Sequence, residues 1–431
     1  MDAATGHLEG RYELGGWRFT EHVNLVDAQL NPSAVDAGRL LYLMAGVSYY
    51  KAAAPPAVDL GTTAVSGAER QFLRTFYVEG LGEFAHRNGL DLTGIVVGGG
   101  TDRQGHPPAL PPPPRRPLIP FGGGIDSIVT VELARHNFPD AALFILSRRG
   151  DRFAAIEEAA AVTGLPVVRA ERELDPQILR SAELGFRNGH IPITGVLSAV
   201  AVMAACAHGF DGVVMSNERS ASSATMDAGG RRLNHQWSKS LQFEDGFRAV
   251  LAASDAGDVC YFSALRPWSE LWIAQRFAEL PQYHRAFRSC NRAFAVDPSR
   301  RLDHWCGVCD KCCFIDLILS PFLSADALQE VFGGREPLAD PSLAPRFRTL
   351  LAMSVDPKPW ECVGDVDECR AAAALAVERP DRSGCSLLHQ LVDEMGAEAE
   401  AARSLVPILL APQGDHHVPA GFAGAPGGAR V

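Results

Sequence analysis

The chain has 431 residues, 47% of them hydrophobic, and 40 basic against 51 acidic residues give it a net charge of −11. That length holds more than one domain and ample core, while the acidic balance and the lack of any Lys/Arg run argue against a nucleic acid as main partner. The opening "MDAATGHLEGRYELGG" lacks the basic and apolar regions of a secretory signal, and the longest apolar helical candidate, about Gly195 to Ala207, is too short to span a bilayer, so a cytoplasmic, soluble protein with no membrane partner is expected.

Two stretches near the N-terminus, "AGRLLYLMAGVSYYKAA" and "AERQFLRTFYVEGLGEFAHRNG", carry apolar residues at helical spacing and predict a mostly helical region over residues 1–104. "GHPPALPPPPRRP" admits neither a regular helix nor a central strand and predicts an extended linker over 105–117. Beyond it the apolar runs "LIPF", "AALFILS", "LPVVRA", "GVVMS" and "VCYFS" alternate with helical segments. The alternation predicts an α/β domain over 118–285, a parallel sheet flanked by helices. A cysteine-bearing helical region is expected over 286–411. A Gly/Ala/Pro-rich disordered tail, carrying His416 and His417, is expected over 412–431.

After the first run stands "FGGGIDS", a strand-to-helix corner with bare backbone, a carboxylate and a hydroxyl. Glycines at 122–124 can converge several N–H groups on one point, and the next helix aims the positive end of its dipole there, which suits a phosphate. A glycine turn with Asp126 or Ser127 as helix cap is the plainer reading. No G-K-[ST] follows the glycines and no G-x-G-x-x-G is present, so neither the Walker nor the dinucleotide fingerprint applies. Ligands of parallel sheets bind beyond the carboxyl ends of the strands. "SNERSASS" would lie there with Asn217, Glu218 and Arg219, and "NHQWSKSLQFED" supplies Asn234, His235 and Lys239, as substrate-facing donors or as solvated loops. "ALRPWSELWIAQRFAEL" offers Arg266 and Glu270 at a helix start, for capping and ion pairing or for the site.

Ten cysteines in a cytosolic chain point to metal binding, catalysis or burial before disulfides. Cys290, Cys306, Cys309 and Cys312 are spaced C-x15-C-x2-C-x2-C, a common structural zinc pattern. An iron–sulfur cluster is the rival, although the further Cys-Pro of the bacterial ferredoxin run is missing at Asp316. Reduced or catalytic thiols are the third reading, and Cys313 is spare on this count.

"GGGIDS" resembles the PP-loop, S-G-G-x-D-S, of the ATP pyrophosphatases, which cut ATP between its α- and β-phosphates and transfer AMP to a substrate oxygen. Gly122 stands in place of the first serine, while Gly123, Gly124, Asp126 and Ser127 match. The resemblance implies ATP contacts at Gly122, Gly123, Gly124, Asp126 and Ser127, with Ser147 added at the end of "AALFILS", and Mg²⁺ near Asp126. In order along the chain, "SYYKAA", "FGGGIDS", "SNERSAS", "NHQWSKS", "SALRPWSELWIA", "SCNR" and "WCGVCDKC" look like the MurL family over roughly Tyr12 to Cys369. These are ATP-dependent UDP-N-acetylmuramoyl-L-alanyl-L-glutamate epimerases, which invert the terminal L-Glu of a peptidoglycan precursor after an L-Glu-adding ligase has acted.

The resemblance implies ATP and Mg²⁺, a possible structural Zn²⁺, no pyridoxal phosphate and UDP-MurNAc-L-Ala-L-Glu as substrate. Asn217, Arg219, Asn234 and Arg266 are the expected substrate contacts. Asp126 is expected to serve catalysis through the metal, and Glu218, His235, Lys239 and Cys290 are the groups chemically able to move the α-proton. A Cys290 that ligates a metal cannot also be the base. An acyl-adenylate amidotransferase or synthetase, a tRNA-modifying PP-loop enzyme and a non-enzymatic nucleotide-binding regulator remain open.

Overall fold

In the computed structural model, which describes residues 1–431 apart from 3, 108–109, 296, 355–358, 362 and 423–431, the N-terminal region opens with a β-hairpin. Strands β1 (His7–Leu14) and β2 (Trp17–Leu25) pair antiparallel around Gly15 and Gly16. Both glycines have positive φ, the backbone that a tight two-residue hairpin turn demands. Helices α1 (Pro32–Ala45), α2 (Gly67–Gly80) and α3 (Gly82–Arg87) follow. The Asn31 side chain caps α1 ahead of Pro32, and Ser66 and Glu69 form a reciprocal capping box on α2. The region is therefore mixed rather than mostly helical. Its hairpin also belongs to the main sheet, because β2 pairs antiparallel with a strand far along the chain, His22 opposite Glu173.

The five apolar runs form the parallel strands expected of them: β3 (Pro117–Pro120), β4 (Ala142–Ser147), β5 (Val167–Glu173), β6 (Gly212–Met215) and β7 (Cys260–Ser263). The seven-stranded sheet runs β1-β2-β5-β4-β3-β6-β7. It is mostly parallel, with an antiparallel edge supplied by the hairpin. Strand β3 sits between β4 and β6, so successive crossovers leave it in opposite directions and open a crevice beyond its carboxyl end. The segment before β3 is irregular where described, with the Asp211 carboxylate accepting from the Arg115 and Arg116 amides; it leads directly into the central strand.

Alternation along the strands builds two cores. Leu118, Phe144, Val213, Met215 and Tyr261 face α1, α2 and helix α5 (Ile193–His208). Ile119, Leu143, Ile145, Val214 and Phe262 face helices α4 (Ile125–Arg135) and α6 (Glu270–Ala278) and, behind them, α7 (Asp310–Leu319) and α8 (Val366–Ala376). The C-terminal helical region is thus packed on one face of the same sheet. Residues 412–422 are packed as well, which corrects the disordered tail expected from composition. Val418 and Phe422 are buried, the Phe422 ring meets Phe262 and Phe138, and His417 pairs with Asp245 at 2.5 Å. Residues 423–431 lie outside the described ones. Among the described residues no helix is long and apolar enough to cross a membrane.

Candidate active site

The crevice beyond β3 holds a cavity of about 720 Å³, within the usual range for a small-molecule site. One wall is the glycine corner. Gly123 has φ +75°, and a Cβ there would stand 2.6 Å from the Ala155 carbonyl oxygen, so both conformation and space require glycine. Gly124 caps α4 with extended backbone, and a Cβ on it would stand 2.9 Å from Ser289 Oγ. Gly122 faces open space, so the serine of the PP-loop pattern would fit there. Ser127 Oγ donates to the Gly124 carbonyl at 3.0 Å. Gly122, Gly124, Asp126 and Ser127 line the cavity, with the α4 N-terminus behind them.

The C-terminal half completes this wall. The Arg288 amide donates to the Gly123 carbonyl, and its Nη2 is tied to Glu158 at 2.6 Å. Arg288 Nη1 is buried without a hydrogen-bond partner at the cavity, beside Ser289, Asn291 and Lys311. A glycine corner, a helix N-terminus, a guanidinium and an ammonium converge on one space, a combination whose chemistry suits a phosphate.

Next to it three carboxylates meet. One oxygen each of Asp126, Glu218 and Glu270 lies within 4.8 Å of the others. Glu218 and Glu270 are 2% and 3% exposed, and Oε2 of each lacks a hydrogen-bond partner. Burial, followed by the charges of Asp126 and Glu218, pushes the Glu270 carboxyl well above its ordinary range. The backbone enforces the crowding. The Glu270 amide donates to the Glu368 carboxylate at 3.0 Å, and the Glu218 carbonyl accepts from Arg266 at 2.7 Å. Three clustered acids, two of them buried with a carboxylate oxygen that lacks a hydrogen-bond partner, suit a divalent cation held by oxygens, the donor set Mg²⁺ prefers.

The opposite wall carries His235 and Lys239, with Ser216 and Asn217 from beyond β6 and Thr194 and Leu197 from α5. His235 Nδ1 lies 2.5 Å from the Glu83 carboxylate, and the His190 ring packs 4.3 Å from it. Trp360 reaches the same place, its ring against His235 and His86, while the next residue, Glu361, accepts from Asn291 at 2.7 Å.

The other expected residues have different places. Arg266 is 2% exposed and paired with Glu244, and it also donates to the carbonyls of Glu218 and Lys239, so it shapes the wall from behind. Asn234 bridges the Ala221 carbonyl and the Gln236 amide within its turn. Arg219 and Ser147 do not line the cavity, nor does Cys290, although Ser289 and Asn291 on either side of it do. Cys290 gathers instead with Cys306, Cys309 and Cys312, whose Sγ atoms all lie within 4.8 Å of one another. Sequence reasoning missed Glu83, His190, Arg288, Lys311, Trp360 and Glu361. Only Lys311 carried a local signal, as a cation inside the "CDKCC" run next to the loop chemistry.

The Cys306 and Cys312 sulfurs are 3.6 Å apart, and those of Cys309 and Cys312 3.4 Å. Tetrahedral zinc at about 2.3 Å from each thiolate sets sulfurs about 3.8 Å apart, close to this spacing, whereas an iron–sulfur cluster needs room for several irons between them. Hydrogen bonding to Cys290 pulls Cys306 well below the ordinary thiol range and pushes Cys309 and Cys312 above it.

Fold and site together define an α/β protein with a glycine corner and two cations lining a cavity at the switch point of its sheet and a cluster of three acids beside it. Residues 1–264 match the MurL N-terminal domain and residues 286–406 the MurL C-terminal domain. The chain belongs to the MurL family. It is 38% identical over 391 residues to a UDP-N-acetyl-alpha-D-muramoyl-L-alanyl-L-glutamate epimerase of Xanthomonas oryzae pv. oryzae (strain MAFF 311018), covering 90% of this chain and 85% of that one. Proteins of the same name from Micromonospora sp. (strain ATCC 39149 / NRRL 15099 / SCC 1413) and Salinispora tropica (strain ATCC BAA-916 / DSM 44818 / JCM 13857 / NBRC 105044 / CNB-440) are each 37% identical over 99% of this chain, with 95% and 94% of their own lengths covered. No solved structure matches the chain.

Proposed function

We propose that this protein is an epimerase that converts the terminal L-Glu of UDP-MurNAc-L-Ala-L-Glu to D-Glu, by activating the glutamate α-carboxylate with ATP. The observation that carries the ATP reading is the juxtaposition of the Gly122–Ser127 corner with Arg288, Lys311 and the acid trio. Backbone amides of the corner and the two cations hold phosphates. Asp126, Glu218 and Glu270 would hold Mg²⁺, which when bound neutralises phosphate charge and makes pyrophosphate a better leaving group.

Activation accounts for a nucleotide site in an isomerase. Taking the α-proton beside a free carboxylate places new negative charge next to old. In the mixed anhydride with AMP, the same carbonyl becomes an electron sink and the α-carbon becomes acidic. Return of a proton to the opposite face, then hydrolysis of the anhydride, releases the D-epimer and AMP. The two epimers differ little in energy, so isomerisation alone gives a mixture. Loss of pyrophosphate makes the conversion run one way if only the L-form is activated. This route uses no pyridoxal phosphate, takes its substrate from a ligase that adds L-Glu, and suits the cytoplasm, where ATP and nucleotide-linked precursors are available.

The test is incubation of the protein with UDP-MurNAc-L-Ala-L-Glu, ATP and Mg²⁺ in deuterated water, reading AMP, glutamate chirality and deuterium at Cα. D-Glu labelled at Cα, formed only with ATP and together with AMP, is expected, and Asp126→Ala should form neither. AMP with unchanged L-Glu would point to an adenylating synthetase awaiting another acceptor. The four-cysteine cluster is proposed to hold a structural Zn²⁺ that fixes the wall carrying Ser289, Asn291 and Lys311. Elemental analysis should find about one zinc per chain, lost in Cys306→Ser; iron with visible absorbance would reject zinc.

A further inference from the structure

Building on that reading of the site, we propose that His235, oriented by Glu83 and backed by His190, is the base that removes the α-proton of the activated glutamate. Four groups are chemically able by residue type, and the structure separates them. Glu218 faces Asp126 and Glu270, and Cys290 faces three other thiols. His235 and Lys239 line the cavity. Of these two, Lys239 Nζ donates to Gln236 Oε1 at 3.0 Å, while His235 has a buried acid behind its ring.

Glu83 sits on the short helix α3, 3% exposed, its other oxygen accepting from Arg87 at 2.9 Å. Its Oε2 faces His235 Nδ1 at 2.5 Å. A carboxylate only accepts, so Nδ1 carries the hydrogen and the lone pair of the neutral ring is on Nε2. This is the orienting logic of an acid behind a catalytic imidazole: it fixes the tautomer and stabilises the imidazolium once the proton is taken. His190 packs against the ring at 4.3 Å. Burial, then the nearness of His235, lowers the His190 pKa to about 4, so near neutral pH it presents no second positive charge to a protonated His235. Trp360 closes another side of the imidazole.

Glu83, His190 and His235 are also a donor set that metals use, but the spacing argues against one. Two ligands about 2.0 Å from a tetrahedral ion stand about 3.3 Å apart. The 2.5 Å contact between Glu83 and His235 is that of a hydrogen bond.

In the step, His235 Nε2 takes the proton from Cα of the glutamyl adenylate, and the C–H electron pair moves into the carbonyl as an enolate. The pair returns to Cα when a solvent-derived proton arrives on the opposite face, across the cavity from His235. No electrons are gained or lost, and water supplies the exchanged proton.

The experiment compares wild type with His235→Gln, Glu83→Gln and Glu83→Asp in deuterated water with UDP-MurNAc-L-Ala-L-Glu, ATP and Mg²⁺. His235→Gln is expected to keep AMP formation within a few-fold of wild type, while deuterium at Cα and D-Glu fall by about 100-fold or more. Glu83 is a positioning residue. Glu83→Gln should lower kcat for D-Glu about tenfold at unchanged KM and raise the ratio of AMP to D-Glu, and Glu83→Asp should recover part of both. Deuterium incorporation at the wild-type rate in His235→Gln overturns the proposal, and so does a parallel loss of AMP in a folded variant. If His235→Gln does not fold, an unchanged AMP to D-Glu ratio in Glu83→Gln overturns it. A wild type that forms neither AMP nor D-Glu would instead overturn the reading of the function, a result distinct from all of these.

Discussion

Glu83 and Glu270 lie behind the cavity lining, against His235 and Asp126 respectively; each is 3% exposed, and their environments move them in opposite directions. Burial pushes Glu83 up, but the hydrogen bond and charge of His235, with His190 and Arg87 behind, bring it below the ordinary carboxylate range. Burial pushes Glu270 up, and Asp126 and Glu218 push it further. The protein supplies hydrogen-bond donors to one glutamate and chiefly like charge to the other. Glu83 is therefore part of a closed hydrogen-bonded network around a ring, while Glu270 is left among like charges, the environment that the proposed cation would complete. Burial alone does not distinguish a structural acid from a ligand; the partners do.

The largest effects should come from removing these two acids, and they should diverge. Glu270→Gln is expected to lower AMP formation roughly a thousand-fold, about 4 kcal/mol, because a ligand of the cation site is lost. The same change should leave unfolding stability without added metal equal to wild type or higher, since it removes a buried acid whose ionised form is opposed by two like neighbours. Glu83→Ala should instead cost about 2 to 3 kcal/mol of stability, because it leaves His235 and Arg87 without their acceptor. Urea unfolding of both variants reads the contrast directly. A Glu270→Gln protein destabilised as much as Glu83→Ala would mean that the trio is a structural network.

The same distinction explains what was legible in the sequence. The apolar runs announced the parallel strands because four of the five are buried on both faces, β5 beside the hairpin being mostly half-buried. The glycine corner was legible because its chemistry is local: three glycines, an acid and a hydroxyl within six residues. The N-terminal hairpin has its own signal, alternation on both sides of Gly15-Gly16, but it is shorter than the helical spacing of the stretches after it. Its place in the sheet was not legible, because pairing β2 with β5 joins residues about 150 positions apart. Glu83 and His190 were hidden for the same reason: 152 residues separate Glu83 from His235, and nothing near "GEFAHR" marks that acid as different from any other on a helix. Arg288 and Glu361 come from the segment after the sheet, where the cysteines drew the reading toward a metal site of their own. The tail misled by composition, since Val418 and Phe422 suffice to pack residues that are otherwise small and polar.

The smallest expected effect concerns His190, the neutral ring beside the closed network of Glu83 and His235. Its pKa, lowered to about 4 in the folded protein against an ordinary 6.5, means that the unfolded chain binds more protons between those values. Stability should therefore rise with pH through that window, and the contribution of His190 should be fully present above about pH 6.5 and lost progressively as pH falls toward 4. Glu83 nearby favours the charged form and limits the effect, whereas Lys239 and Lys51 disfavour it and add to the effect, and about 1 to 2 kcal/mol is the expected size. His190→Gln keeps a polar side chain and removes the titration, and urea unfolding at about pH 7 and about pH 4.5 should show a smaller acid loss in the variant than in wild type. An equal loss in both would mean that His190 is already protonated beside His235 in the folded state, and two positive rings would then share the wall that Glu83 alone must neutralise.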